Sequence, residues 1–199
     1  MFLPDVCSIQ IGYTARSRLE TDACGVLAIQ LRDVTECGVD VDQLARVQVE
    51  KGFHRYEVRS GDVLFRSRGD RNIAIALDDK LVEPAVAVSP LMSLRPMHSV
   101  LFPEYLAWIM NQSVAQRHFD TAARGTSIRM VPKSCLDDLQ IDVPDLETQR
   151  RIVMIDALAK KEATLMRHLV EKKSSLTNLQ LAECARRGAQ TVNPKRIAK

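Results

Sequence analysis

The stretch "LDDLQIDVPDLETQRRIV", residues 136–153, changes its period halfway along. Leu139 to Val143 reads as a short strand, and Pro144 stops it because proline brings no N–H to a ladder. From Leu146 to Arg187 no Gly or Pro interrupts the chain. Asp145 is a natural N-cap, and Glu147 is favourable at the positive end of the helix dipole. The spacing predicts one helix of roughly forty residues, a rod of about 60 Å.

A heptad register runs through this helix at 155, 158, 162, 165, 169, 172, 176 and 179. Six of these eight positions are Ile or Leu: Ile155, Leu158, Leu165, Leu169, Leu176 and Leu179. Glu162 and Lys172 are the exceptions, and Ala159, Ala163 and Met166 widen the stripe. A narrow apolar seam on a long rod calls for a partner helix, since folding back on its own domain would cover only the first few turns. The two charged seam positions weaken such a pairing but can fix its register.

Upstream, residues 1–100 carry short apolar runs: "VCSIQIG", "GVLAIQLRDV", "GDVLFRS", "NIAIALDD" and "AVAVSPLMSL". They are punctuated by Gly, Asp, Ser or Pro and follow one another without long helices between them. That predicts antiparallel pairing or a barrel-like sheet rather than βαβ units. "FPEYLAWIMNQ" then opens a helix with Pro103 at its first position. "SVAQRHFDTAARG" follows, with Ser113 and Gln116 spaced as a capping box and Gly125 as a natural end. Ser134 and Asp137 suggest a further, shorter cap. The fold class expected is α+β: a β-rich domain with short helices over 1–146, a spacer or dimerisation helix over 147–187, and a flexible basic tail over 188–199.

Charge divides the same way. Residues 147–199 hold 12 Lys and Arg against 5 Asp and Glu, a net +7, while residues 1–146 are net −4. A basic helix suits nucleic acid, and it equally suits a solvated face. Hydrophobic residues make up 46% of the chain, enough for a real core, yet no run approaches the ~18 apolar residues of a membrane span. The N-terminus lacks the basic and apolar regions of a signal peptide, which points to the cytoplasm. Five scattered cysteines without a C-x-x-C read as reduced thiols, and the four histidines form no H-x-x-x-H pair, so no metal and no cofactor is expected.

Enzymatic signatures are missing. There is no G-x-x-x-x-G-K-S/T, no G-x-G-x-x-G and no G-x-S-x-G. "VNPKR" is not the N-P-P-Y/F of a methyltransferase. The carboxylates Asp62, Asp70, Asp78, Asp79 and Glu83 fit a solvated loop better than a nuclease metal site. What stands out is arginine in loop-like places. "GYTARSR" holds Tyr13, Arg16 and Arg18. "RSRGDR" holds Arg66, Arg68 and Arg71. "ARGTSIR" holds Arg124, Thr126, Ser127 and Arg129. The planar guanidinium suits phosphates and the O6/N7 edge of guanine, and Ser and Thr hydroxyls bond phosphate oxygens. Ordinary surface arginines pairing with the many acids of this half are the plain alternative.

"GDVLFRSRG", "PEYLAWIMNQ" and "GTSIRMVPKSCLDDLQIDVPDLETQRRIV" followed by a heptad helix resemble the target recognition domain and spacer helix of type I restriction–modification specificity subunits. That family has a small G-S/T loop, then a strand reading roughly L-x-x-I/L-x-I/V-P, then P-L-x-x-Q-x-x-I opening the helix. Here these are Gly125-Thr126-Ser127, Leu139 to Pro144, and Leu146 to Ile152, with Asp145 in place of the second proline. The family subunit normally carries two recognition domains and two spacer helices, whereas this chain has one of each. The resemblance implies double-stranded DNA as ligand and a DNA methyltransferase subunit as partner, with or without a restriction translocase. It also implies a homodimer that restores the second half. The rival is a coiled-coil interaction or regulatory protein whose recognition domain no longer binds DNA.

Overall fold

The computed structural model describes residues 1–15, 19–36, 38–50, 52–69, 71–122 and 130–191, with side chains in the last helix described through residue 188. The chain divides into two units, Met1–Val153 and Met154–Lys199. Along the chain the first unit forms β1 (Cys7–Ile11), β2 (Thr21–Ile29), β3 (Val34–Thr35), β4 (Gly38–Val39), β5 (Ala45–Val47), β6 (Glu57–Val58), β7 (Val63–Arg66), β8 (Ile73–Ala76), β9 (Ala85–Ala87) and β10 (Leu91–Pro96). The helices are α1 (Pro103–Met110), α2 (Ser113–Ala122) and α3 (Lys133–Asp137), and α4 (Leu146–Thr191) starts here and continues into the second unit.

The runs "VLF" and "IAI" are apolar at every position because β7 and β8 are buried on both faces. Their sheet has the order β1-β10-β7-β8 and is antiparallel throughout. Successive side chains in a strand point to opposite faces. Val63, Phe65, Ala74, Met92 and Leu94 therefore pack with Leu106, Met110, Phe119 and Leu136 of the helices. Leu64, Ile73, Ile75 and Leu91 point the other way, onto Leu27, Ile29, Ala85 and Ala87. Those residues belong to the second sheet, of order β5-β2-β9-β6. The layers are helices, sheet, sheet, and the fold class is α+β, β-rich with short helices and a long C-terminal helix.

Three local expectations are corrected. "AVAVSPLMSL" is two strands in two different sheets, because a turn at Val88–Pro90 closes with the Leu91 N–H donated to Val88 O. Strand β9 pairs parallel with β2 and antiparallel with β6, so the second sheet is mixed. The segment at Leu139 makes only an isolated bridge, Gln140 to Phe2. Its partner strand cannot extend, since residues 3–5 turn at once into a 3-10 helix. Caps differ too. In α2 the Gln116 N–H donates to Gln112 O, so Gln112 holds the cap position and Ser113 starts the helix, while the Gln116 side chain donates to Met110 O. In α3 the N-cap is Pro132, and Asp137 is held by Lys133 at 2.7 Å. Gly125, and residues 192–199 of the basic tail, lie outside the described residues.

Asp145 caps α4 as its sequence suggests. Its Oδ1 accepts the Thr148 N–H at 2.9 Å and its Oδ2 the Thr148 hydroxyl at 2.8 Å. These bonds favour the carboxylate and hold the Asp145 pKa below its usual value. A depressed pKa contributes stability that is present at neutral pH and lost as pH falls through the folded-state value. Beside the cap, Gln149 is fully buried. Its Oε1 accepts the Phe102 N–H at 2.9 Å, and its Nε2 donates to Val100 O at 2.8 Å and to Pro144 O at 2.7 Å. One amide thus satisfies backbone groups ahead of both α1 and α4. Ile152 and Val153 complete the joint by packing against the helix-side core.

Replacing Gln149 with Ala would strand a buried donor and two carbonyls, and urea unfolding should show a loss of about 2–4 kcal/mol. Arg151→Ala on the exposed side of the same turn should change stability by less than about 0.5 kcal/mol.

Candidate nucleic-acid interface

The register of the first sheet decides which loops meet. Ile11 at the end of β1 lies opposite Met92, Leu91 opposite Arg66, and Arg66 opposite Ile73. The C-terminal ends of β1 and β7 therefore share one edge of the sheet with the N-terminal ends of β10 and β8. Tyr13 follows β1, and Arg66, Arg68 and Arg71 sit at the end of β7 and in the turn to β8. Just beyond them Arg68 forms a bridge with Met130, and Val131 donates its N–H to Ser67 O at 2.8 Å. Met130 is the residue that follows the "ARGTSIR" segment. Arg16, Arg18, Arg124, Thr126, Ser127 and Arg129 themselves lie outside the described residues.

The described arginines differ in how free they are. Arg66 is half-buried, donating from Nε to Arg68 O at 3.3 Å and from a terminal nitrogen to Val34 O at 3.4 Å. Its guanidinium folds over Gly69, which has a φ of 136° and would bring a Cβ within 3.1 Å of it. A side chain at 69 would be strained by the backbone and crowded by Arg66. Arg68 is exposed. Arg71 is exposed and pairs with Glu36 at 3.0 Å, an ion pair in solvent that is worth little and that a phosphate can displace. Tyr13 is different: only 9% exposed, it accepts the Glu50 N–H at 3.4 Å on its hydroxyl and meets Tyr56 edge-on at 5.5 Å between ring centroids. It braces the loop after β1 rather than offering a stacking face.

Two polar residues that the sequence did not single out join this edge. Gln30 and Arg32, after β2, line an open groove of about 390 Å³ with Leu31, Arg66, Val88 and Ser89. Arg32 is exposed, its nearest acid being Asp33 at 3.6 Å. The hint available in "IQLRD" was polar side chains directly after a strand, a weak signal in a chain this rich in arginine. Gly12 beneath the groove is required, since a Cβ there would come within 2.8 Å of Ala87 O, Leu91 O and Ser89 N.

The carboxylates do not assemble into a metal site. Asp62 is buried, not solvated, and its two oxygens take Arg95 Nε and a terminal nitrogen at 2.7 Å each. Asp62 in turn holds the Arg95 guanidinium above its usual pKa through that hydrogen bond, against the opposing effect of burial. Asp79 accepts from the Ser60 hydroxyl, Glu83 pairs with Arg46 and Asp78 with Lys80, while Asp70 lies outside the described residues. Among the described residues no group of His, Cys, Asp or Glu could hold a metal ion, and no helix is long and apolar enough to cross a membrane. Burial, with the nearby Asp62 charge adding to it, pushes the Cys7 thiol up to about 12; burial, then Asp138, pushes Cys135 to about 11. Neither is a thiolate nucleophile at neutral pH.

No protein-family model and no curated protein sequence matches the chain. Solved structures do. The chain is similar to one from a type I restriction–modification system, solved to explain complex assembly and conformational transition, with 23% identity and a TM-score of 0.58 over 91% of this chain and 43% of that one. It is similar also to the HsdS subunit from Thermoanaerobacter tengcongensis, with 22% identity and a TM-score of 0.58 over 84% of this chain and 38% of that one. The architecture is thus the one found in type I restriction–modification specificity structures, and the chain spans about two fifths of their length.

If this edge meets a duplex, Ala at Arg68 or Arg71 should weaken binding to all sequences alike and flatten the log K against log salt slope by about one unit each. Ala at Arg66, which lines the groove, should instead cost about 1–3 kcal/mol and relax one target position. Fluorescence anisotropy across a salt series checks both; unchanged binding in all three would move the contact surface elsewhere.

Proposed function

We propose that this chain is a sequence-specific DNA-binding specificity subunit. It directs a partner methyltransferase, and where one is present a restriction translocase, to its site and carries no catalytic step itself. The observation that supports this reading is a separation of ends. The segments bearing Tyr13, Arg66, Arg68 and Arg71, with the chain just after Arg129, gather at one edge of the first sheet. The Gln149 joint that launches α4 is tied to Val100 and Phe102, which follow the opposite end of β10. Reading and spacing are thereby given to different ends of one domain. Phosphate contacts from exposed arginines would position the duplex, and side chains in the groove at Arg66 would reach base edges.

Ile155, Leu158, Leu165, Leu169, Leu176 and Leu179 serve to pair two chains. A dimer with a twofold axis reads identical half-sites in opposite orientation. The target is then an interrupted palindrome, with half-site centres about one helical turn, ~34 Å, apart. Binding without any salt dependence would instead favour the coiled-coil regulatory protein, because phosphate contacts release counterions.

Two measurements check this reading. Sedimentation should show dimer at tens of micromolar for the wild type, with monomer for Leu165→Asp/Leu169→Asp, which places unpaired charge in the seam. Co-expression with a methyltransferase of its own system, followed by methylome sequencing, should return one interrupted palindrome. A single asymmetric motif would mean that a second, different specificity chain completes the complex.

A further inference from the structure

The second unit presents an apolar seam interrupted by two charges. Ile155, Leu158, Leu165, Leu169, Leu176 and Leu179 are each 56–67% exposed. Glu162 and Lys172 lie on the same line and are exposed as well. Three other acids of the helix pair one turn on, Glu147 with Arg151, Asp156 with Lys160 and Glu183 with Arg187, while Glu171, off the seam, has no ion pair among the described residues. Glu162 and Lys172 take part in no ion pair among the described residues, and each sits between leucines of the seam.

The spacing of the seam explains them. Its intervals alternate three and four residues and read the same in both directions. A twofold axis across the helix at Arg167 therefore maps seam positions onto seam positions. Ile155 falls opposite the partner's Leu179, Leu158 opposite the partner's Leu176, and Leu165 opposite the partner's Leu169. Glu162 and Lys172, each five residues from Arg167, fall opposite one another. Sliding the pairing by one heptad in either direction puts both charges against Leu or Ile. Parallel pairing puts Glu162 on Glu162 and Lys172 on Lys172. A charge facing an apolar side chain or a like charge in a seam is costly, while a facing opposite charge offsets much of its desolvation. Leu146 falls opposite the partner's Gly188, so the overlap uses nearly the whole helix.

We propose that the partner of this seam is a second copy of the chain, antiparallel and centred on Arg167, with Glu162 of each helix paired to Lys172 of the other as the register lock. This rests on the homodimer part of the proposed function and names its geometry. Charge complementarity selects the occupant, since an unrelated apolar helix would leave both ions unmatched.

The test needs no DNA. In a full-length chain with Cys24, Cys37 and Cys184 replaced by Ser, Leu158→Cys alone and Leu176→Cys alone should give no disulfide-linked dimer under mild oxidation. The double variant should cross-link. Glu162→Lys should raise the dimer dissociation constant by roughly tenfold or more, and adding Lys172→Glu should bring it back to near the wild-type value, a coupling that a merely structural role would not produce. Cross-linking of either single variant, or none in the double variant while sedimentation still shows dimer, overturns the register and leaves the homodimer standing. A wild-type monomer at tens of micromolar overturns both. Loss of DNA binding with these results intact would count against the DNA reading alone.

Discussion

The side-chain amide of Gln149 is the constraint on which the rest of the first unit's geometry depends. A helix N-terminus leaves backbone N–H groups without partners, and the chain running into it leaves carbonyls in the same position. Here two such helix starts, those of α1 and α4, lie side by side. Phe102 N–H, Val100 O and Pro144 O all converge on one buried amide. Nothing else in the twenty side chains offers two donors and an acceptor in so small and uncharged a body apart from Asn, which is a methylene shorter. The start of α4 is therefore held to the first unit by three hydrogen bonds as well as by the packing of Ile152 and Val153. A charged residue in this place would have to be desolvated, and an apolar one would orphan all three groups.

The edge of the sheet that carries the arginines follows from the same economy. With both faces of β7 and β8 buried, one by helices and one by the second sheet, polar side chains of these strands reach solvent at the strand ends. One end is occupied by the N-terminus, where Leu3 N–H meets Leu139 O, and by the Gln149 joint. The other end holds Arg66, the Gly69 turn and the groove beneath Gln30 and Arg32. Asn111 fastens α1 there, its amide exchanging two bonds with the backbone of Ala74. The sheet is a rigid floor on which loops can vary without disturbing the core, as suits binding loops generally.

Much of this was legible in the sequence, for identifiable reasons. The long helix announced itself through the absence of breakers and the Asp145 cap, and its start falls at Leu146 as the proline stop implies. Strands β7 and β8 showed as apolar runs because burial on both faces fills nearly every position, while β1, with Ser8 and Gln10 exposed, showed by alternating apolar and polar residues. Strands β5 and β6 did not, because two or three residues carry no alternation to detect. The division of "AVAVSPLMSL" between two sheets depends on tertiary pairing that no local pattern encodes. At the arginine edge, residue type was visible but position was not. Tyr13 looks in sequence like a member of an exposed cluster, and only the contacts with Glu50 and Tyr56 reveal it as a brace. Gln30 and Arg32 needed the second sheet to bring them beside Arg66.

In the proposed pairing of two copies, the seam itself has to specify the register. Six Ile and Leu layers alone would tolerate a shift of one heptad with little change in buried area, and a shift moves the attached domains by about 10 Å along the axis. If the dimer spans two half-sites as proposed, that error would be roughly three base pairs, at ~3.4 Å per base pair. In the proposed dimer, two ions placed symmetrically about Arg167 would convert a small electrostatic preference into a definite register. They would lower the stability of the seam compared with leucine at both positions, and supply a single spacing instead.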